Sequence, residues 1–209
     1  MSKIIFFGDS ITDSNRNYDV PIGHSEQIGD GYVRIFSAMT FRDFNDKYLV
    51  INQGVNGNRV WDLENRLSKD VLSHSPDLVV IMIGINDVWR KYDTHSDSIT
   101  QISLDDFYIS YKKILERIDK QNITTILLSP FFLELNKNDE MRIELNAYIE
   151  KVETLAKEFN LTFVNVQDYM DQFLENHSSY LISNDRVHLN FLGDFLLADY
   201  IYKNIKEEL

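Results

Sequence analysis

The chain has 209 residues, 44% hydrophobic, 12% aromatic and 26% charged, a globular composition that excludes a disordered or fibrous chain and suits one domain over residues 1–209. Its 21 Lys and Arg against 33 Asp and Glu leave a formal charge of −12, a field that repels nucleic acid and anionic membranes and favours a neutral or cationic small substrate. There is no Cys, hence no disulfide framework, thiolate nucleophile or Cys-ligated metal.

At the N-terminus, Ile4 to Phe7 is an apolar run too short for the core of a signal peptide, and no small-residue cleavage site follows it, so a cytoplasmic protein is expected. No stretch approaches the roughly 20 apolar residues that span a bilayer. In chain order, a β-branched and apolar run at Lys3–Phe7 predicts a first strand, followed by a long irregular stretch from Thr12 to Gly29. The spacing of Tyr32, Val33, Phe36 and Met39 predicts a helix, Tyr48–Asn52 a strand, and Val60, Leu63, Leu67 and Val71 a second helix. Leu78–Ile83 reads as a third strand, and a loop from Trp89 to Ser103 leads to a helix marked by Phe107, Tyr111, Ile114, Leu115 and Ile118. Thr124–Ser129 and Leu161–Val166 read as the last two strands, separated by a helix through Leu145, Tyr148, Val152 and Phe159. A final helix runs from about Phe191 to Ile205. The strands are continuously apolar rather than alternating, the pattern of a sheet buried on both faces. The expected fold is therefore a three-layer α/β/α sandwich with a five-stranded parallel sheet and right-handed crossovers.

Four clusters follow strands: Gly8-Asp9-Ser10, Gly54-Val55-Asn56-Gly57, Gly84-Ile85-Asn86-Asp87 and, beyond the fifth strand, Asp185-Arg186-Val187-His188. Parallel strands place their C-terminal ends on one rim, so the clusters converge where open α/β folds bind ligands. Together they supply the parts of an acyl-transfer site. Ser10 needs a base, for which His188 is the candidate, and Asp185 is placed to orient that imidazole. The N–H groups of Ser10 and Gly57 and the side-chain amide of Asn86 are candidate donors to an oxyanion. Gly54 reads as a turn glycine and Asp87 as a structural hydrogen-bonding partner. His24, His74, His95 and His177 lack metal-ligand spacing, so no metal and no cofactor are expected.

These clusters resemble the blocks of the SGNH or GDSL-type serine hydrolases, a family with a flavodoxin-like fold. Phe7-Gly8-Asp9-Ser10-Ile11-Thr12-Asp13 is similar to the family's first block, with Ile where the name-giving motif has Leu. Asn52 to Asn58, Gly84 to Asp87 and Asp185 to His188 are similar to the second, third and fifth blocks. The resemblance covers nearly the whole chain and implies a catalytic Ser10, Asp185 and His188 with an oxyanion hole of Ser10, Gly57 and Asn86. Leu189 stands where the family commonly has Pro, which touches the start of the last helix more than the chemistry.

A narrower resemblance, in Gly29 to Val33, Ile81 to Asp93 and Ser129 to Phe132, is to intracellular acetylxylan esterases. It implies a short-chain esterase acting on an acetyl ester or acetylated sugar such as a xylo-oligosaccharide, with no nucleic-acid or membrane partner; a homo-oligomer is left open. Trp89 and Tyr92, three apart after Asn86, are candidates to stack on a sugar, against the plainer reading that they pack a long loop. A lysophospholipase or thioesterase would want an apolar trough, whereas Asp93 to Gln101 is polar. A non-catalytic flavodoxin-like phosphate-binding module leaves Asn86, Asp185 and His188 unexplained, and Asp9 and Asp13 would oppose its anion.

Overall fold

All five apolar runs pair into one parallel sheet in the computed structural model, which describes residues 1–92 and 101–209. The strands are β1 (Ser2–Gly8), β2 (Tyr48–Gly54), β3 (Leu78–Met82), β4 (Thr124–Leu128) and β5 (Thr162–Val164), in the order β2-β1-β3-β4-β5. Their central residues, from Ile4 to Phe7 in β1 and Val79 to Ile81 in β3, are buried, as continuous apolar strands covered on both faces must be.

The helices are α1 (Ser10–Asp13), α2 (Tyr32–Phe44), α3 (Val60–Asp70), α4 (Ile85–Trp89), α5 (Leu104–Asp119), α6 (Glu140–Phe159), α7 (Val166–Leu174) and α8 (Phe191–Ile205). Helix α2 packs on α8, which also meets α7, while α3 packs on α5 and α5 on α6. The buried stripes are those the periodicity marks, Val60, Leu63 and Leu67 in α3 and Phe107, Tyr111 and Ile114 in α5. The strand order reverses between β1 and β3, so the residues following those two strands, Ser10 and Asn86 among them, flank a topological switch point.

Three differences from the sequence-based expectation are local. The stretch after β1 is not wholly irregular: it begins as α1 and contains a 3₁₀ turn, Ser25–Ile28. Helix α7 has no counterpart in that reading; it starts where Asn165 accepts a hydrogen bond from the Asp168 N–H at 3.2 Å, which also cuts β5 to three residues. Helix α4, which follows β3 almost at once, also has no counterpart in that reading; it ends at Trp89, so the loop expected from Trp89 begins at Arg90. Residues 93–100 of that loop, and with them His95 and all of the polar rim from Asp93 to Gln101 except Gln101 itself, lie outside the described residues.

Candidate active site

Ser10 opens α1 directly after β1. Asp9 caps this short helix, its carboxylate accepting the Ile11 N–H at 3.0 Å, and α1 lies close over β2. The space for that approach is made by Gly54, where a Cβ would come within 2.1 Å of the Asp13 nitrogen; Gly54 is a packing glycine. Asn52 locks the same junction, donating to the carbonyls of Thr12 at 2.6 Å and Ile28 at 2.9 Å while accepting the Gly54 N–H at 2.8 Å.

The Ser10 hydroxyl lies 2.8 Å from His188 Nε2, and His188 Nδ1 lies 2.6 Å from Asp185 Oδ2. A carboxylate only accepts, so Nδ1 carries the proton in the neutral ring and Nε2 is free to accept from Ser10. The second carboxylate oxygen of Asp185 accepts the Val187 and His188 N–H groups at 2.9 and 2.8 Å and the Ser183 hydroxyl at 3.1 Å. Partial burial works against the Asp185 charge, but the bond from His188 and those backbone bonds outweigh it and hold the carboxyl down at about 2. The turn between the two residues needs Arg186 in the left-handed region, at φ 69°. Arg186 is held there by the Leu133 N–H on its carbonyl at 2.9 Å, by an ion pair with Glu134 and by the Phe132 ring 5.0 Å beneath its guanidinium.

Asn86, in the first turn of α4, is buried and donates one amide hydrogen to the Asn58 carbonyl at 3.0 Å. That bond fixes the carboxamide and leaves its other hydrogen for an acceptor. Gly57 precedes Asn58 in the turn after β2 and takes φ 72°, a conformation L side chains rarely adopt. Sequence reasoning missed what holds these turns together. Arg66 of α3 donates to the carbonyls of Gly8 at 2.7 Å and Gln53 at 2.8 Å and to the Asn58 side chain at 2.7 Å, and pairs with Asp70 at 2.9 Å. One guanidinium thus ties the ends of β1 and β2 to the Gly57 turn. Nothing in the sequence marks it beyond its place beside the core residue Leu67.

The Trp89 ring sits against His188, 5.7 Å between centroids and tilted by 54°. Tyr92 lines the same side, but its hydroxyl is engaged with Glu144 at 3.1 Å. Among the described residues no three His, Asp or Glu side chains gather as a metal-ligating group, and none of the described helices is long and apolar enough to cross a membrane.

Three carboxyl groups around the site are pushed up to about 7. Burial is the dominant cause for Asp9 and Asp87, which also repel one another, and the N–H groups of Ile11 and Val60 only partly offset it. Burial likewise raises Asp194, against one bond from the Tyr32 N–H. Asp87 gives one oxygen to the Val60 N–H at 3.1 Å, the structural role expected of it.

Residues 6–194 match the model of the GDSL-like Lipase/Acylhydrolase family. An acetylxylan esterase of Geobacillus stearothermophilus is 33% identical over 204 residues, covering 97% of this chain and 93% of the relative. A solved structure of that organism's acetylxylan esterase Axe2 superposes with a TM-score of 0.91 at 32% identity, over 98% of this chain and 94% of the other. Catalytic mutants of Axe2 in which a serine, an aspartate or a histidine is replaced by alanine superpose similarly. LAE5, an α/β-hydrolase enzyme from the metagenome of Lake Arreo, Spain, gives a TM-score of 0.94 at 31% identity, over 98% of this chain and 95% of that one.

Proposed function

Because the chain belongs to the GDSL-like lipase/acylhydrolase family and is a carboxylic ester hydrolase, we propose that it removes short acyl groups, acetyl above all, from carbohydrates such as xylo-oligosaccharides through an acyl-enzyme on Ser10. The observation that carries this reading is the unbroken line from Ser10 Oγ through His188 to Asp185, with separations of 2.8 and 2.6 Å. The names of the relatives and the residue types altered in the Axe2 catalytic mutants support it.

In this mechanism Ser10 attacks the ester carbonyl as its proton passes to His188 Nε2. The imidazolium is stabilised by Asp185, which its hydrogen bonds keep ionised. Negative charge grows on the carbonyl oxygen, where the N–H groups of Ser10 and Gly57 and the free amide hydrogen of Asn86 receive it. His188 returns the proton to the leaving alkoxide, water attacks the acyl-enzyme by the same route, and Ser10 is released. The steps require neither a metal nor an organic cofactor. Trp89, beside His188, and Tyr92 form the wall along which further sugar units of an oligosaccharide extend. The charge of −12 disfavours an anionic lipid surface as the working environment.

A matched series of aryl esters from two to eight carbons tests the acyl specificity. Each methylene taken into an apolar pocket contributes about 0.8 kcal/mol, so a lipase gains along the series, whereas a closed acetyl pocket loses by steric exclusion. A steep fall in kcat/KM beyond acetyl or propionyl is expected, together with release of acetate from acetylated xylo-oligosaccharide. An octanoyl preference would replace this reading with a lipase.

A further inference from the structure

Ser10 and His188 together open onto a cleft of about 260 Å³. The neighbouring cleft, walled by Trp89, Tyr92 and Arg186, includes neither of them. The leaving oxygen of an ester must come within hydrogen-bond reach of the imidazole that protonates it, so the alcohol attached to that oxygen has to begin in the Ser10 cleft. At this volume, below the roughly 300–1,000 Å³ of pockets for drug-sized ligands, the cleft is of a size for one small ring. Apart from Ile11 and Leu189 its remaining walls are polar: Ser14, Asn15, Asn56 and Asp194.

Asp194 is the singular member of that wall. It stands in the first turn of α8, six residues after His188, and is only 7% exposed. Its Oδ1 accepts the Tyr32 N–H at the start of α2 at 3.1 Å, and among the described residues that is the sole hydrogen bond its carboxyl makes. Capping one helix N-terminus does not require a buried carboxyl; a neutral amide oxygen accepts the same bond without the desolvation cost. That cost is visible in the raised position of its titration, about 7. Asp194 lines a polar, substrate-sized cleft beside the nucleophile, and the second oxygen of its carboxylate is suited to accept the proton of a substrate hydroxyl, a bond that the NH2 group of an amide cannot make in its place.

We infer that the Ser10 cleft is the alcohol subsite and that Asp194 sets its specificity, binding a free hydroxyl adjacent to the esterified oxygen through the carboxyl oxygen that Tyr32 does not occupy. The inference rests on the carbohydrate reading above, and it assigns the first sugar ring to α8 and α1, leaving Trp89 to the units beyond.

The test compares two acetyl esters of a methyl xyloside, one with a free hydroxyl next to the acetate and one deoxygenated at that carbon. A site built to bond a hydroxyl discriminates strongly against the analogue lacking it, so the wild-type enzyme should favour the hydroxylated ester by about tenfold or more in kcat/KM. Asp194→Asn keeps the volume and the acceptor for Tyr32, and Asp194→Ala removes both. In each, the preference should collapse to about twofold or less, mainly through KM on the hydroxylated ester. Asp194→Asn guards against misfolding, with an unchanged circular dichroism spectrum as the check. A preference that survives in both variants overturns the inference, as does an equal loss on both esters, which would reduce Asp194 to a strut between α2 and α8. A wild-type enzyme that cleaves aryl acetate and neither sugar ester overturns the carbohydrate reading itself, and the inference with it; that result is distinct from the other two.

Discussion

Asn86 is the residue on which the proposed geometry is most exposed to test. Its carboxamide is oriented by a single bond to the Asn58 carbonyl at 3.0 Å, so the remaining hydrogen is preorganised for charge that exists only in the transition state. Asn86→Ala should therefore lower kcat by about 10²–10³-fold and leave KM nearly unchanged. A raised KM with kcat preserved would make it a ground-state binding residue. At this scale the sequence is eloquent about residues whose neighbours form patterns and silent about isolated ones. Ser10, Asn86, Asp185 and His188 each stand in a short polar cluster beyond an apolar run, and a parallel sheet gathers such clusters on one rim. Arg66 and Asp194 stand alone in helices, and their importance comes from carbonyls and a cleft supplied by segments far away in the chain.

Among the elements, the long periodic helices and the buried strands were legible because their stripes persist over several turns or residues. Helices α1, α4 and α7 were not, for two of them have four or five residues, too few to show a period, and all three are set by what precedes them: Asp9, the end of β3 and the Asn165 cap. The start of α8 shows how such a signal works. Where the resembled family commonly supplies Pro, this chain has Leu189 followed by Asn190, whose side chain accepts the Leu192 and Gly193 N–H groups at 3.0 and 3.2 Å. The same side chain donates to the Leu181 carbonyl at 2.9 Å, binding α8 to the segment that leads into Asp185. Asn190→Ala should destabilise the protein by about 1 kcal/mol, the usual worth of a side-chain cap, seen as a lower urea midpoint with an unchanged m-value. An unmoved midpoint would show that the cap contributes nothing.

For the molecule as a whole, acidity is a stability variable with a definite sign. Asp9, Asp87 and Asp194 titrate near 7 in the folded chain against a carboxylate value of 3.8. Between those limits the folded state holds more protons than the unfolded one, so stability falls as pH rises through the window and the loss is complete above it. Self-repulsion at a charge of −12 acts in the same direction. Asp185 acts oppositely and lower down: its depressed folded value of about 2 contributes stability that is lost only as pH drops below 3.8 toward 2. The melting temperature should accordingly decline from pH 5.5 to pH 8, and Asp87→Asn should flatten the slope. A melting temperature that rises over this interval would contradict the burial of these groups as acids. Among the described residues the buried apolar side chains form one cluster, so a single unfolding transition is expected in the same scans, and two separate transitions would contradict a single-domain chain.

The central claim is that Ser10, activated by His188, forms the covalent intermediate, and labelling with an organofluorophosphonate tests it most directly. Only an activated hydroxyl reacts with such a probe, and the chain has no Cys to offer another strong nucleophile. Mass spectrometry should find one adduct on the wild-type chain, located at Ser10, with hydrolysis of aryl acetate lost in proportion to labelling. Folded Ser10→Ala should take no adduct and retain no more than a trace of activity. An adduct on another residue, or a Ser10→Ala enzyme that still hydrolyses the ester, would contradict the account.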